Sequence, residues 1–311
     1  MPFSLKKSRI LLTGATGLVG GHLAEVLAKE GKHLFSIQRQ KDRDSYFVKQ
    51  GIDKKFKSIQ ADILDYSRLE EILNENKIEY IFHLAAKLRS DSLHQTVGFN
   101  IMGTNNILEA ARNCKSLKGI IIASTNRAYV ESGLSPKEMR HLSNSPYDLS
   151  KTAADLVAQA YVQRHRLPLV ICRFGNVYGP GDRFNRIVSL IIKNILNKQT
   201  LKIKISGGKR SYIYAGDIAI GLLLAANHSH ILEGQSINFD SKEEFSVIEL
   251  ITRISNITKK QCKYKIMGSM KEDIKMKKLK LNSKQKILKW EQQTKFEEGI
   301  RQTFNWHIKF K

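Results

Sequence analysis

Cysteine is scarce in this sequence, and what little there is forms no pattern. Cys114, Cys172 and Cys262 stand far apart and none belongs to a CxxC pair. That argues against a zinc site or a disulfide framework and in favour of buried thiols in a reducing compartment, so no metal is expected. Long apolar runs are also missing. No stretch approaches the roughly 18 apolar residues that a membrane-spanning helix needs. Met1 to Arg9 lacks the apolar core of a secretory signal, which makes the cytoplasm the expected location. Internal repeats and low-complexity linkers are absent too. Acidic side chains are few, 29 Asp and Glu against 52 Lys and Arg, leaving a net charge of +23. Such a surplus can mark a nucleic-acid partner, and lysines are dense between Lys259 and Lys289. No aromatic-rich RNA-binding motif, zinc finger or arginine-rich segment accompanies them. The charge is therefore read as a solvated basic surface that attracts anionic ligands, and nucleic acid is not expected as the partner.

What remains is an ordinary globular composition with a strong periodic order. The 311 residues are 41% apolar, enough to bury one large α/β core with a smaller lobe attached. Short apolar runs alternate with helical stripes through the first half, the signature of βαβ units. Strands are expected at Ile10–Thr13, Leu34–Ile37, Phe56–Ile59, Tyr80–Leu84, Gly119–Ala123 and Leu169–Cys172. Helices are expected on the stripe Val19, Leu23, Val26 and Leu27 closed by Gly31, around Leu69 to Leu73, over Val97–Arg112 and over Tyr147–Arg166. Beyond Gly175 the pattern loosens, with a helix expected near Ile187–Leu196 and a strand near Leu201–Ile205. The fold class is α/β: a Rossmann-type doubly wound parallel sheet with a smaller C-terminal substrate-binding lobe. Residues 1–175 are assigned mainly to binding a dinucleotide and residues 176–311 mainly to the substrate lobe, partly interleaved.

Two motifs carry chemistry. Gly14, Thr16, Gly17, Leu18, Val19 and Gly20 form a GxxGxxG turn between the first strand and the first helix. Glycines there let the backbone approach a pyrophosphate, and the helix N-terminus presents N–H donors. The end of the second strand, Ile37-Gln38-Arg39, lacks the acid that would hold the ribose hydroxyls of NAD, and Arg39 can pair with a 2′-phosphate. The cofactor is thus expected to be NADP or NAD, with NADP favoured, and Asp62 is a candidate for the adenine edge. The second motif is Tyr147 and Lys151, a YxxxK pair. Four residues apart on a helix, the ammonium sits near the phenol and favours its ionised form, which can take a proton from a hydroxyl while hydride leaves the same carbon.

Taken with these motifs, several further segments resemble the extended short-chain dehydrogenase/reductase family, in its NAD(P)-dependent sugar-nucleotide epimerase/dehydratase branch. They include Asp62-Ile63 at the head of ADILD, Leu84-Ala85-Ala86, Asn100–Arg112, Ser124-Thr125 followed by Tyr129, and Tyr147-Asp148-Leu149-Ser150-Lys151. Arg173–Gly181 (RFGNVYGPG) and Trp290 with Phe296–Ile300 complete the match. Within the branch the likeness is greatest to CDP-glucose 4,6-dehydratase-like proteins, through Tyr147–Tyr161, Gly181-Asp182, Asn185-Arg186, Arg210, Tyr212 and Tyr214. The resemblance implies catalysis by Thr125, Tyr147 and Lys151. It implies cofactor contacts from the glycine loop, Asp62, Ile63, Leu84, Ala85 and Ala86, and nucleotide-sugar contacts from Asn126, Arg127, Asn176, Arg186 and Arg210. It also implies a homodimer through the Tyr147 helix and its neighbour.

Departures from the family pattern bear on the reaction. Dehydratases of the branch carry an acid and a base just after the threonine matching Thr125, where this sequence has Asn126 and Arg127. Asparagine cannot donate a proton as an acid, and arginine, with a pKa above about 12, is a poor base. Val130 replaces the usual glycine and Ser211 the usual aspartate after Arg210. The reading favours oxidation or reduction at a ring carbon, C4, by an epimerase, 4-dehydrogenase or 4-keto reductase. A 4,6-dehydratase with an unusual acid/base pair and a non-catalytic anion- or RNA-binding protein are the alternatives.

Overall fold

The computed structural model describes residues 5–31, 33–88, 92–128, 145–183, 185–205, 208–269 and 283–310. Its frame is a seven-stranded sheet. The strands are β1 (Arg9–Thr13), β2 (His33–Gln38), β3 (Lys57–Gln60), β4 (Tyr80–His83), β5 (Gly119–Thr125), β6 (Leu169–Phe174), β7 (Asn176–Tyr178), β8 (Leu201–Ile205), β9 (Arg210–Tyr214), β10 (Ser236–Phe239), β11 (Glu244–Phe245) and β12 (Tyr264–Ser269). The main sheet runs β10-β6-β5-β4-β1-β2-β3, every neighbouring pair parallel. A parallel sheet covered on both faces needs side chains that are apolar on both, which explains the unbroken runs in β1 and β5. All seven residues of β5 are buried.

The helices are α1 (Leu18–Glu30), α2 (Tyr46–Lys49), α3 (Tyr66–Glu75), α4 (Leu93–Val97), α5 (Gly103–Arg112), α6 (Pro146–His165), α7 (Ile187–Asn197), α8 (Ala215–Asn227), α9 (Val247–Thr258) and α10 (Phe296–Lys309). Helices α1 and α8 pack together on one face of the sheet, over a core that includes Leu12, Leu23, Leu27, Leu222 and Phe239. On the other face α3, α5 and α6 cover Leu69, Ile107, Ile122, Ala158 and Ile171. A third core, with Ile191, Ile203, Leu250 and Phe296, holds α7, α9 and α10 beside the small sheets β11-β9-β7 and β12-β8. No described helix is long and apolar enough to cross a membrane.

The six expected strands and the expected helices are present within a few residues, and two features differ. The helix expected over Val97–Arg112 begins earlier, at Leu93, and is interrupted by a π-helical turn at Gly98–Met102. Such turns insert an extra residue and swing side chains off the regular stripe. The seventh strand, β10, comes from the C-terminal half and returns to pair with β6. Its four residues, Ser-Ile-Asn-Phe, are too short and too mixed to stand out by periodicity.

Helix α8 reaches the sheet because Gly221 has no side chain: a Cβ there would lie 2.6 Å from Cε1 of Phe239. Gly221→Ala should therefore cost about 1–3 kcal/mol through overpacking. The check is a lower urea midpoint at unchanged slope. Gly98→Ala, where a Cβ would meet nothing within 4 Å, serves as the control and should leave the midpoint close to wild type.

Candidate active site

The carboxyl ends of β1 and β4 diverge at the point where chain order reverses, and a cavity of about 650 Å³ opens there. Its floor is the glycine loop. Gly14 sits at φ +77°, and a Cβ on it would lie 2.6 Å from the Leu84 and Ala85 backbone. A Cβ on Gly20 would lie 2.0 Å from the Gly14 carbonyl oxygen. Only glycines permit the first turn of α1 to close on the end of β1 in this way. Gly17 caps α1 without any side-chain hydrogen bond, so the leading N–H groups of the helix face the cavity for a ligand to satisfy. Thr16, Gly17, Leu18, Val19 and Gly20 all line the cavity, and so do Arg39, Ile63, Leu84, Ala85 and Ala86.

The opposite wall holds Thr125, Tyr147 and Lys151. Helix α6 starts from Ser145, whose hydroxyl accepts the Asp148 N–H, with Pro146 in its first turn. From that start Lys151 reaches the end of β5 and Tyr147 lines the cavity. Lys151 is buried, and its Nζ donates to the Ala123 carbonyl at 2.6 Å. Burial holds its pKa below the usual lysine value, and Asp155 works against that trend. One turn further along α6, Asp155 pairs with Arg173 of β6 at 2.9 Å, both buried.

A continuous buried hydrogen-bond chain joins the two walls. The Ala85 N–H donates to Thr13 Oγ1 at 3.2 Å, and Thr13 Oγ1 meets His83 Nδ1 at 2.9 Å. His83 Nε2 meets Thr104 Oγ1 at 3.3 Å, and that hydroxyl donates to the Asn100 carbonyl at 2.7 Å. The single Thr104 hydroxyl proton is thus committed, so Nε2 must carry the imidazole hydrogen and Nδ1 must accept from Thr13. Asn100, in the π turn, donates to Ser150 Oγ at 2.8 Å, and Ser150 donates to the Tyr147 carbonyl at 2.8 Å. The Asn100 amide also holds Lys87 through both of its backbone groups. The π turn is what presents this side chain to α6.

Beyond the tyrosine lie Asn126 and Asn176, both lining the cavity. Asn176 Nδ2 donates to the Ser211 carbonyl at 3.0 Å. Arg186 also lines the cavity and is held by Asp182 at 2.9 Å, whose second oxygen accepts from Ser189. Two residues missed by the sequence reading complete the rim. Arg183 donates to Asp42 Oδ1 at 2.7 Å and to the Thr16 carbonyl at 3.4 Å, bridging the segment before α7 to the glycine loop. Arg183 falls within the GDRFNR stretch and Asp42 three residues past Arg39, but only their meeting in space marks them. Asp62 and Arg210 are not among the described residues that line the cavity. Asp62 accepts the Leu64 N–H at 3.0 Å as a turn former, while its neighbours Ala61 and Ile63 are on the wall. Arg210 begins β9, opposite Phe245. The side chain of Arg127, and Tyr129 and Val130 altogether, lie outside the described residues.

Residues 10–239 match the NAD dependent epimerase/dehydratase family. The chain belongs to that family. It is 28% identical over 312 residues to a UDP-glucuronate 4-epimerase from Thermodesulfobacterium geofontis, covering 95% of each chain. To a dTDP-D-glucose 4,6-dehydratase from Dictyostelium discoideum it is 32% identical over 273 residues, which span 80% of this chain and 62% of that one. Among solved structures, UDP-glucuronic acid 4-epimerase from Bacillus cereus, in complex with UDP-glucuronic acid and NAD, superposes with a TM-score of 0.82 at 25% identity, covering 97% and 100% of the two chains. The family resemblance and the reading as an enzyme of the epimerase/dehydratase class are borne out. The narrower likeness to CDP-glucose 4,6-dehydratases is not confirmed, since the sugars named for these relatives are carried on UDP or dTDP.

The buried imidazoles make the enzyme's stability pH-dependent. Burial lowers His83 from 6.5 to about 3, helped by the nearby Lys151 charge. Burial also lowers His22 from 6.5 to about 4, against the hydrogen bond to the Pro180 carbonyl. Both rings are neutral when folded, whereas the unfolded chain takes up protons below 6.5. The contribution of these two rings to the unfolding free energy should thus be full above that pH and fall as pH drops from 6.5 towards 4. Urea titrations across this window check it, and His83→Asn should flatten the slope by about one proton.

Proposed function

We propose that this enzyme binds a nicotinamide dinucleotide on the glycine loop and oxidises or reduces a nucleotide-activated sugar at C4, as an epimerase, 4-dehydrogenase or 4-keto reductase. The observation that carries the reading is the placement of Tyr147, Lys151 and Thr125 on the wall facing the glycine cradle, within one cavity. The cradle fits the dinucleotide: a side chain at Gly14 or Gly20 would collide with backbone, and the open start of α1 suits a pyrophosphate. When bound, the nicotinamide supplies the hydride acceptor or donor. Tyr147, with the Lys151 ammonium one helical turn away, takes the hydroxyl proton at C4 and returns it in the reverse step, and Thr125 orients that hydroxyl. The dinucleotide lies along residues 1–175, while Asn126, Arg127, Asn176 and Arg186 serve the sugar nucleotide; Arg210 does not line this cavity and is not one of them. Arg186 enters with its guanidinium already anchored by Asp182, which suits it to the diphosphate.

Of the two nicotinamide cofactors, NAD is the one bound in the Bacillus cereus relative. In this chain Gln38 and Arg39 line the cavity where β2 ends, the acid further on, Asp42, is paired with Arg183, and the Arg39 guanidinium rests 5.1 Å from the centre of the Phe99 ring. That placement supports acceptance of a 2′-phosphate, and hence a preference for NADP. The protein is further read as a cytoplasmic homodimer. Exposed Leu93, Met102 and Leu156 on the α4, π-turn and α6 surface support the dimer, and three buried free cysteines suit a reducing compartment.

Three measurements test these statements. Tyr147→Phe should abolish turnover while cofactor affinity stays near wild type, and most activity surviving would remove the phenol from the mechanism. Arg39→Ala should weaken NADPH binding and spare NADH, as read by fluorescence titration. An unchanged preference would take Arg39 out of the argument. Finally, NMR of products from nucleotide hexoses should show no 6-deoxy methyl signal. Acid–base assistance to elimination is worth about 10²–10⁴-fold, and Asn126 cannot give the C6 oxygen a proton. A strong methyl signal would restore the dehydratase alternative.

A further inference from the structure

The sugar end of the cavity hides a carboxylate that no motif announces. Gly175 lies on the cavity wall between Thr125-Asn126 and Asn176. A Cβ placed on it would lie 2.9 Å from Asn126 Nδ2, 3.1 Å from Asp240 Oδ1 and 3.2 Å from Ser211 Oγ. Three polar side chains from three different strand ends therefore converge on the gap left by one missing side chain. Asp240 follows β10 directly, at the same carboxyl edge of the sheet as the catalytic residues. Ser211 donates its hydroxyl to Asp240 Oδ1, and the Ser241 N–H donates to the same oxygen at 3.0 Å. Ser211 in turn accepts Asn176 Nδ2 on its carbonyl, so the carboxylate is wired to an asparagine of the cavity wall.

The balance of charge around Asp240 is one-sided. Burial raises its pKa above the ordinary aspartate value, the Ser211 and Ser241 hydrogen bonds pull it back, and Glu244 adds repulsion. No described cation pairs with it. The two donors on one oxygen favour the anion, and burial opposes them. Its remaining oxygen and the Asn126 amide take no other hydrogen bond among the described residues. An anion held this way favours ligands that bring O–H donors and disfavours ligands that bring negative charge. Ser211 stands where the family pattern has an aspartate, and its hydroxyl holds a carboxylate that comes from the end of another strand.

We propose that Asp240, held by Ser211 against Gly175 of the cavity wall, makes this site select neutral, hydroxyl-bearing sugars over uronic acids. The proposal rests on the nucleotide-sugar reading above. It also separates this chain from the relatives whose names specify glucuronate.

The test uses the cofactor-loaded full chain and calorimetric titration with base-matched pairs: UDP-glucose with UDP-glucuronate, and likewise for CDP and dTDP. In any pair that binds, the neutral sugar should bind about ten-fold or more tightly than the uronate, the scale of an uncompensated like-charge contact. Asp240→Asn keeps the shape and removes the charge. It should narrow that ratio to within about three-fold by strengthening the uronate arm. Asp240→Ser, which also removes the charge, should narrow it similarly. Unchanged cofactor affinity in each variant shows that the fold is intact. A wild type that binds uronate as well as the neutral sugar, or a ratio untouched by either variant, overturns the selection by Asp240. If the cofactor binds and no pair does, the nucleotide-sugar reading itself fails, a result distinct from either of those.

Discussion

One line of hydrogen bonds, buried through its middle, decides where Tyr147 stands against the glycine loop. It runs from the Ala85 amide through Thr13, His83, Thr104, Asn100 and Ser150 to the backbone of Tyr147. It therefore ties β1, β4, the π turn and α6 to one another at the cavity. Each link is an ordinary hydrogen bond, worth about 1 kcal/mol net, but an unpaired partner at any one of these buried positions costs about 1–3 kcal/mol. The line tolerates one proton arrangement, with His83 neutral and hydrogenated on Nε2. Placing Tyr147 with respect to the glycine loop thus follows from satisfying buried polar groups, and the apolar packing on both faces of the sheet supplies the rigidity behind it.

The same logic organises the periphery. Where the backbone must come close to another element, the chain has glycine: Gly20 against Gly14, Gly221 against Phe239 and Gly175 against the Asn126–Asp240 cluster. Two of the cationic side chains that reach the cavity are fixed first by acids, Arg186 by Asp182 and Arg183 by Asp42. A pre-anchored guanidinium loses less freedom when an anionic ligand arrives than a mobile one does. This organisation explains how a chain carrying +23 can direct positive charge at one ligand.

Much of this was legible in the residues alone, and the limits have physical causes. Strands β1, β4, β5 and β6 could be located because a doubly covered parallel strand is apolar along most of its length, and α1, α3 and α6 because their stripes repeat at helical spacing. Gly14, Gly17, Gly20, Tyr147 and Lys151 are local patterns, so spacing suffices to find them. The π turn was hidden, since one extra residue in a helix leaves no compositional mark. Strand β10 was hidden by its brevity. Arg183 with Asp42, and Asp240 with Ser211 and Asn126, are joined only by the crossing of distant segments, and no spacing rule spans 141 residues. Asp62 illustrates the converse: a motif position whose carboxylate closes a turn beside the cavity while its neighbours form the wall.

The Arg183–Asp42 bridge joins two loops that share no secondary structure. It crosses the rim between the segment before α7 and the loop after β2, with a further hold on the Thr16 carbonyl. The pair is only partly buried and worth little in free energy. One side chain nevertheless ties both sides of the cavity mouth to the glycine turn.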